Sequence, residues 1–183
     1  MDIIRKFLKS KNFWVSTARE FLFAFAFIAV VAGALYAYSG AWPPLVSVNG
    51  LSMYPHMQDG DLILIQKLSS DQIQTYDEAR LSGYQTFDGY GDVLVYRPFG
   101  RTDMTPVIHR AMARVNASGP MWTGSSPAPN DGFVTQGDNN YLFDQSCAIC
   151  PNTPVQDDWI LGVARFRIPY LGYVRSLLGI VGL

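Results

Sequence analysis

An uncharged apolar run near the start of the chain constrains its fold more than any other feature. No residue from 21 to 38 carries a charge. As an α-helix these eighteen residues would extend about 27 Å, the lower end of what crosses the hydrocarbon core of a bilayer. The run therefore predicts a transmembrane anchor helix over residues 21–38.

The charges that flank this run predict its orientation. Residues 1–20 contain five basic and two acidic side chains, and no Lys or Arg lies between Arg19 and Lys67. By the positive-inside rule, residues 1–20 form a cytoplasmic basic segment and the chain after Ser39 is extracytoplasmic. A cleaved signal peptide is the alternative, but its apolar core is usually shorter, about 7–15 residues. The predicted product is a single-pass membrane protein.

The sequence after the anchor is typical of short strands joined by turns. A Gly-Asp pair adjoins each of three apolar runs: Gly60-Asp61 before residues 62–65, Gly91-Asp92 before residues 93–96, and Gly137-Asp138 after residues 133–135. Glycine and aspartate favour turns, and short β-branched runs favour strands. With further strands at residues 107–109 and 159–166, residues 45–167 are predicted to form a mainly β, extracytoplasmic domain.

Three other segments have weaker patterns. Residues 71–81 predict a short helix, and residues 116–132 a loop rich in Ser, Thr, Gly and Pro. The loop begins with the glycosylation sequon Asn116-Ala117-Ser118, which is usable only outside the cytoplasm. The tail, residues 168–183, is apolar but short for a membrane span. It would either lie on the membrane surface or cover the β domain.

Composition excludes several classes of function. The net charge of −1 gives no basic face for nucleic acid. The two cysteines, Cys147 and Cys150, form one Cys-x-x-Cys, which is neither a disulfide framework nor a complete zinc site. They would be either a small-loop disulfide or free thiols. No metal and no cofactor is predicted.

A serine, a histidine and aspartates in the β domain are the parts of a hydrolase that activates a hydroxyl group. Ser52 follows a glycine-containing turn, and His109 lies on or at the end of a predicted strand. A histidine can take the serine proton near neutral pH. His56 and Lys67 are the alternative bases. Asp138 and Asp144 both remain open as the carboxylate that orients the base, although Asp138 has the alternative of a plain turn residue.

The order of these motifs resembles that of the type I signal peptidases. Ser52-Met53-Tyr54-Pro55 is similar to their nucleophile motif, and residues 91–96 and 107–110 to their next segments. Gly137-Asp138-Asn139-Asn140 with Asp144 is similar to the last. The resemblance covers residues 46–163. Most bacterial members have a lysine where this chain has His109, so the chain resembles the archaeal and endoplasmic-reticulum branch.

The resemblance implies a role for each site residue. Ser52 would be the nucleophile, His109 the general base, Asp144 the third member and Asp138 a supporting carboxylate. The apolar residues near the serine would bind substrate: Leu51, Met53, Tyr54 and Met57. Many bacterial relatives place a serine hydroxyl two residues before the nucleophile as an oxyanion donor. This chain has Gly50 there, so its second donor would be another backbone N–H or a water.

The resemblance also implies a mostly antiparallel β-sheet catalytic domain that removes signal peptides from preproteins. The partners would be signal-peptide-bearing preproteins, membrane lipid and other subunits of an export complex. The motifs look archaeal more than eukaryotic, which favours the archaeal cell membrane over the endoplasmic reticulum. One alternative is a catalytically inactive, membrane-anchored β module of an export complex. Another is the self-cleaving LexA-like regulators, which use a lysine base and a DNA-binding domain that this sequence does not offer.

Overall fold

The structure is a computed structural model that describes residues 12–173. Most of the basic residues predicted to be cytoplasmic, and most of the apolar tail, lie outside these residues. The chain divides between Tyr38 and Ser39 into two compact units.

The first unit is dominated by helix α1, Phe13–Ser39. Its most apolar window has a mean hydropathy of 2.2, and none of that window is buried within the protein. Twenty-seven residues extend about 40 Å. Among residues 12–173, α1 alone is long and apolar enough to cross a membrane.

Helix α1 begins before the uncharged run because Asn12 caps it. The Asn12 side-chain oxygen accepts a hydrogen bond from the Trp14 N–H at 3.0 Å, which satisfies one of the free donors of the first turn. The helix therefore includes Arg19 and Glu20. It ends where Gly40 takes a positive φ of 62°, a conformation that glycine adopts without strain.

The second unit is built on one antiparallel sheet. Its strands are β1 Leu45–Ser47, β2 Leu62–Gln66, β3 Gln85–Thr86, β4 Gly89–Tyr90, β5 Val93–Tyr96, β6 Val107–Val115, β7 Gly132–Gln136 and β8 Ile160–Ile168. Six of them form a sheet in the order β1-β2-β8-β5-β6-β7, and β3 and β4 form a separate pair. All of these neighbours pair antiparallel. The prediction of a mainly β, mostly antiparallel fold with one N-terminal apolar helix is confirmed.

Strand β5 lies within the sheet and is buried on both faces. Val93 and Val95 pack into one apolar cluster, and Leu94 and Tyr96 into another. A strand covered on both faces needs a continuous apolar run in place of alternation, which explains the sequence of residues 93–96. The first cluster also contains Met53 and Met57, so it lies under the predicted serine turn.

The predicted helix at residues 71–81 is present but starts later. A 3₁₀ turn covers Ser70–Gln72, and helix α2 covers Tyr76–Ser82. The reason is a capping box: Glu78 accepts a hydrogen bond from the Thr75 N–H at 2.8 Å, and the Thr75 hydroxyl accepts one from the Glu78 N–H at 3.4 Å. These reciprocal bonds fix Thr75 as the residue before the helix.

Each aspartate of the three Gly-Asp pairs faces an arginine on a strand. Asp61 lies 3.6 Å from Arg167, Asp92 lies 3.2 Å from Arg165, and Asp138 lies 2.7 Å from Arg110. Asp92 is also almost fully buried. It accepts hydrogen bonds from the Tyr84 hydroxyl at 2.8 Å and the Gln74 N–H at 2.9 Å. Asp61 is buried as well and Asp138 is partly buried, so these turns are held by carboxylates that have hydrogen-bonding or ionic partners.

We expect Asp92→Ala to lower the free energy of unfolding by about 3–5 kcal/mol, as when one partner of a buried ion pair is removed. The matched control is Asp103→Ala, because Asp103 and its partner Arg101 are both exposed and such pairs contribute little. Urea unfolding of the detergent-solubilised chain, followed by tryptophan fluorescence, measures both. Equal effects of the two substitutions would contradict the assignment.

Candidate active site

Ser52 lies in a turn between β1 and β2 that is fixed to the core by buried side chains. Met53 and Met57 are buried in the core, and the Met57 N–H donates to the Met53 carbonyl at 2.9 Å. At the start of the turn, the Gly50 N–H donates to the Asp59 carboxylate at 2.9 Å. Gly50 has a φ of 97°, a conformation that side chains rarely adopt. The turn therefore holds the half-buried Ser52 in a fixed position.

The loop after β7 is hydrogen-bonded to this turn. The Asn139 N–H donates to the Ser52 carbonyl at 2.8 Å. The Asn139 side chain donates to the Leu51 carbonyl at 3.1 Å. Two segments more than eighty residues apart in the sequence are thus joined at the nucleophile candidate.

His109 lies on β6 and is hydrogen-bonded to Asp144. Its Nδ1 lies 2.8 and 2.7 Å from the two carboxylate oxygens. The histidine is 3 % exposed and the aspartate 0 %. A carboxylate accepts hydrogen bonds, so this contact puts the ring proton on Nδ1 and leaves Nε2 as the acceptor.

Asp144 opens a 3₁₀ turn, Asp144–Ser146, and its carboxylate has two further donors. The Tyr96 hydroxyl donates at 2.7 Å and the Thr135 hydroxyl at 2.6 Å. Burial, and then the charge of Asp144, raise the pKa of Tyr96 well above its usual value. Tyr96 therefore keeps its proton and remains a donor. The buried charge is satisfied by the hydrogen bonds that such a group requires.

Gly137 is where Ser52 and His109 meet. A Cβ built on Gly137 would lie 2.6 Å from the Ser52 carbonyl oxygen and 2.9 Å from His109 Nε2. Nε2, the free ring nitrogen, therefore faces the serine turn. Ser52 and His109 also line the same cavity of about 310 Å³. Within residues 12–173 no hydrogen bond joins their side chains, as is common before substrate binds.

Asp138 lies apart from His109 and has other partners. Arg110 donates two hydrogen bonds to the Asp138 carboxylate, at 2.8 and 2.7 Å. His56 Nδ1 lies 2.7 Å from the same carboxylate. A third Arg110 nitrogen donates to backbone carbonyls, among them that of Gly91 at 2.9 Å. Of the two aspartates that the sequence left open, Asp144 is the one in contact with His109.

The four predicted substrate-binding residues lie in different surroundings. Met53 lines the cavity, while Met57 is completely buried. Leu51 and Tyr54 expose 62 % and 49 % of their surface. Their roles, like those of the other site residues, stay predictions.

The other residues of the candidate site are Tyr96, Thr135, Gly137, Asn139 and Asn140. Sequence reasoning assigned none of them a role. Residues 137–140 were visible only as part of a motif, and nothing in the sequence shows which atom each one presents.

Cys147 and Cys150 are free thiols. Burial raises the pKa of the Cys150 thiol to about 11, so it stays protonated at neutral pH and is a poor nucleophile. Its backbone N–H donates to the Asp144 carbonyl at 3.1 Å, which makes Cys150 part of the support of Asp144. Residues 12–173 contain no group of His, Cys, Asp and Glu that fits a metal ion.

Comparison with known proteins finds signal peptidase subunits among the relatives of this chain. No family model matches the chain. The chain is 29 % identical over 140 residues to the signal peptidase complex catalytic subunit sec11 of Schizosaccharomyces pombe, which covers 72 % of this chain and 65 % of that protein. It is 28 % identical over 159 residues to SEC11 of Clavispora lusitaniae, covering 86 % and 78 % of the two chains. It is 28 % identical over 177 residues to SEC11 of Saccharomyces cerevisiae, covering 89 % and 87 %.

We expect Gly137→Ala to destabilise the chain by about 1–3 kcal/mol, the usual cost of forcing extra volume into a packed site. The new methyl group would lie 2.6 Å from a backbone oxygen, so the serine turn and the β7 loop must separate. Gly33→Ala is the control, because a Cβ at Gly33 meets nothing within 4 Å. Thermal unfolding of both variants checks this, and an unchanged midpoint for Gly137→Ala would refute the close approach.

Proposed function

We propose that the chain is a membrane-anchored serine endopeptidase of the type I signal peptidase family, in its endoplasmic-reticulum-type branch. Its substrates would be secreted and membrane preproteins, from which it removes the N-terminal signal peptide. The observation that carries this proposal is the buried His109–Asp144 pair, whose free Nε2 faces the Ser52 turn across Gly137.

The proposed reaction begins with attack of Ser52 Oγ on the carbonyl carbon of the scissile peptide bond. His109 Nε2 takes the hydroxyl proton, and the carbonyl electron pair moves onto oxygen to give a tetrahedral intermediate. When the intermediate collapses, the C–N bond breaks and the leaving amine takes the proton from His109. Water then hydrolyses the resulting ester, with His109 as base again.

Asp144 would hold His109 in the productive tautomer and stabilise the imidazolium. Tyr96 and Thr135 support this role, since each donates a hydrogen bond to the carboxylate and so fixes its position. Asp138 would position the site without contacting the reacting atoms. With Arg110 and His56 it holds the loop that carries Gly137 and Asn139.

The substrate peptide would lie in the cavity beside Ser52. Its walls come from the end of β1 and the start of β6, together with parts of three loops: Ser47, Val48, Asn49, Ser52, Met53, Thr105, Pro106, Val107, Ile108, His109, Asn140 and Ile149. Apolar side chains on these walls, such as Val48 and Ile108, suit small apolar substrate residues. Leu51 and Tyr54, which are exposed beside Ser52, would contact parts of the substrate outside the cavity.

Helix α1 would anchor the enzyme in lipid, with the N-terminus in the cytoplasm and the β domain outside. The signal peptides it cuts are themselves membrane-associated, so the anchor would bring enzyme and substrate to the same surface. The three relatives are named as subunits of a signal peptidase complex, and we propose partner subunits for this chain as well. The archaeal cell membrane, rather than the endoplasmic reticulum, stays a prediction.

The proposal is tested by incubating a signal-bearing preprotein with the detergent-solubilised chain. We expect wild type to release the signal peptide, Ser52→Ala to release none, and His109→Ala to be slower by at least about 100-fold, the lower end of general acid–base catalysis. Lys67→Ala is the control for a serine–lysine mechanism and should keep full activity, because its exposed side chain lies outside the cavity.

Each other result has a definite meaning. Cleavage by Ser52→Ala would refute the nucleophile, and loss of activity in Lys67→Ala would favour a lysine base. If wild type is inactive alone but cleaves in native membranes, it needs a partner. Inactivity in both settings would leave the inactive β module.

A further inference from the structure

Asn140 is a polar residue of the cavity that has no part in the roles proposed above. Asn140 lines the cavity together with Ser52 and His109. Its backbone is held on both sides: its N–H donates to the Gly137 carbonyl at 2.9 Å, and its carbonyl accepts from the Gln136 side chain at 2.6 Å. Its side-chain amide makes no hydrogen bond to any of residues 12–173. A fixed backbone thus presents an unengaged amide to the cavity.

This amide lies close to the catalytic atoms. From a Cβ position built on Gly137, the Asn140 Nδ2 is 2.8 Å away, His109 Nε2 is 2.9 Å away and the Ser52 carbonyl oxygen is 2.6 Å away. The amide nitrogen and the base nitrogen are therefore within two hydrogen-bond lengths of each other. A group bound at Ser52 would come within reach of both.

The proposed reaction needs donors for the negative oxygen of its tetrahedral intermediate. The backbone N–H of Ser52 is one candidate. Gly50 supplies no hydroxyl, its N–H is already engaged by Asp59, and its φ of 97° disfavours any side chain there. Gly50 therefore supplies neither a side-chain donor nor a free backbone N–H for this oxygen.

We propose that the side-chain amide of Asn140 is this second oxyanion donor; the inference rests on the proposed function. As Ser52 Oγ bonds to the carbonyl carbon, the C=O electron pair moves to oxygen and the serine proton goes to His109 Nε2. The Asn140 Nδ2–H and the Ser52 N–H donate hydrogen bonds to that oxygen. Asn140 transfers no proton, and its bonds relax when the C–N bond breaks.

The role proposed for Asn140 differs from that of the adjacent residue, Asn139. Asn139 uses its side chain and its N–H to hold the carbonyls of Leu51 and Ser52, so it positions the nucleophile turn. Asn140 has no such structural bond to lose. A substitution of Asn140 is therefore expected to act on the transition state and to leave the fold and the ground-state complex intact.

The test compares wild type with Asn140→Ala and, as a control, Asn116→Ala, which replaces an asparagine outside the cavity. We measure kcat and KM for a signal-bearing peptide, and inhibition by a substrate-derived peptide aldehyde. The hemiacetal that the aldehyde forms with Ser52 places an oxygen where the oxyanion would be. We expect Asn140→Ala to lower kcat about 10²–10³-fold, as for loss of one oxyanion donor, with KM little changed.

Two further readouts separate this role from a structural one. Aldehyde binding should weaken in Asn140→Ala by about the same factor as kcat/KM, because the aldehyde adduct resembles the transition state. Binding of uncut peptide to Ser52→Ala should be the same with and without Asn140→Ala, and the melting temperature should not change. Asn116→Ala should match wild type throughout.

A near-normal kcat for Asn140→Ala would overturn the inference, as would a rise in KM alone, which indicates uniform binding. A fall in kcat with a lower melting temperature and unchanged aldehyde binding would also overturn it. Inactive wild type, alone and in native membranes, would instead overturn the proposed function, and the inference with it. Active wild type beside an equally active Asn140→Ala would overturn the inference alone.

Discussion

The buried carboxylate of Asp144 is the group on which the rest of the domain depends. A charge removed from water is costly unless hydrogen bonds replace the lost solvation. Here Tyr96 on β5, His109 on β6 and Thr135 on β7 each contact it. Those strands are consecutive in the sheet, so the carboxylate is satisfied only when all three pair in this order. The contacts of this carboxylate therefore link the His–Asp pair to three strands of the sheet.

Contact between two distant loops is the second constraint. The serine turn is fixed to the sheet by buried Met53 and Met57, and to the β7 loop by Asn139. Gly137 lets the two approach until His109 Nε2 faces the turn, because any Cβ would occupy the intervening space. The geometry proposed for nucleophilic attack thus depends on the absence of a side chain at Gly137 as much as on Ser52 and His109.

Local patterns predicted the parts of this structure, and contacts between distant segments decided the rest. The uncharged run, the Gly-Asp turns and the strand of residues 93–96 each depend on a short stretch of consecutive residues, so the sequence predicts them. Two helices begin at other residues than the hydropathy pattern predicted, because side-chain hydrogen bonds of Asn12 and Glu78 cap their first turns. Hydropathy alone does not locate such a cap. Asp138 and Asp144 could not be separated from sequence, because both lie near the same turn. Only the fold shows which of them contacts His109.

The two histidines illustrate why contact alone does not identify a base. His56 also pairs with a carboxylate, Asp138, at 2.7 Å. That carboxylate is already neutralised by two hydrogen bonds from Arg110, so a proton on His56 would add a positive charge to a balanced pair. Asp144 has no arginine or lysine among its partners in residues 12–173. In the proposed reaction, a proton that reaches His109 would therefore complete an ion pair with Asp144, and this pair would stabilise the imidazolium.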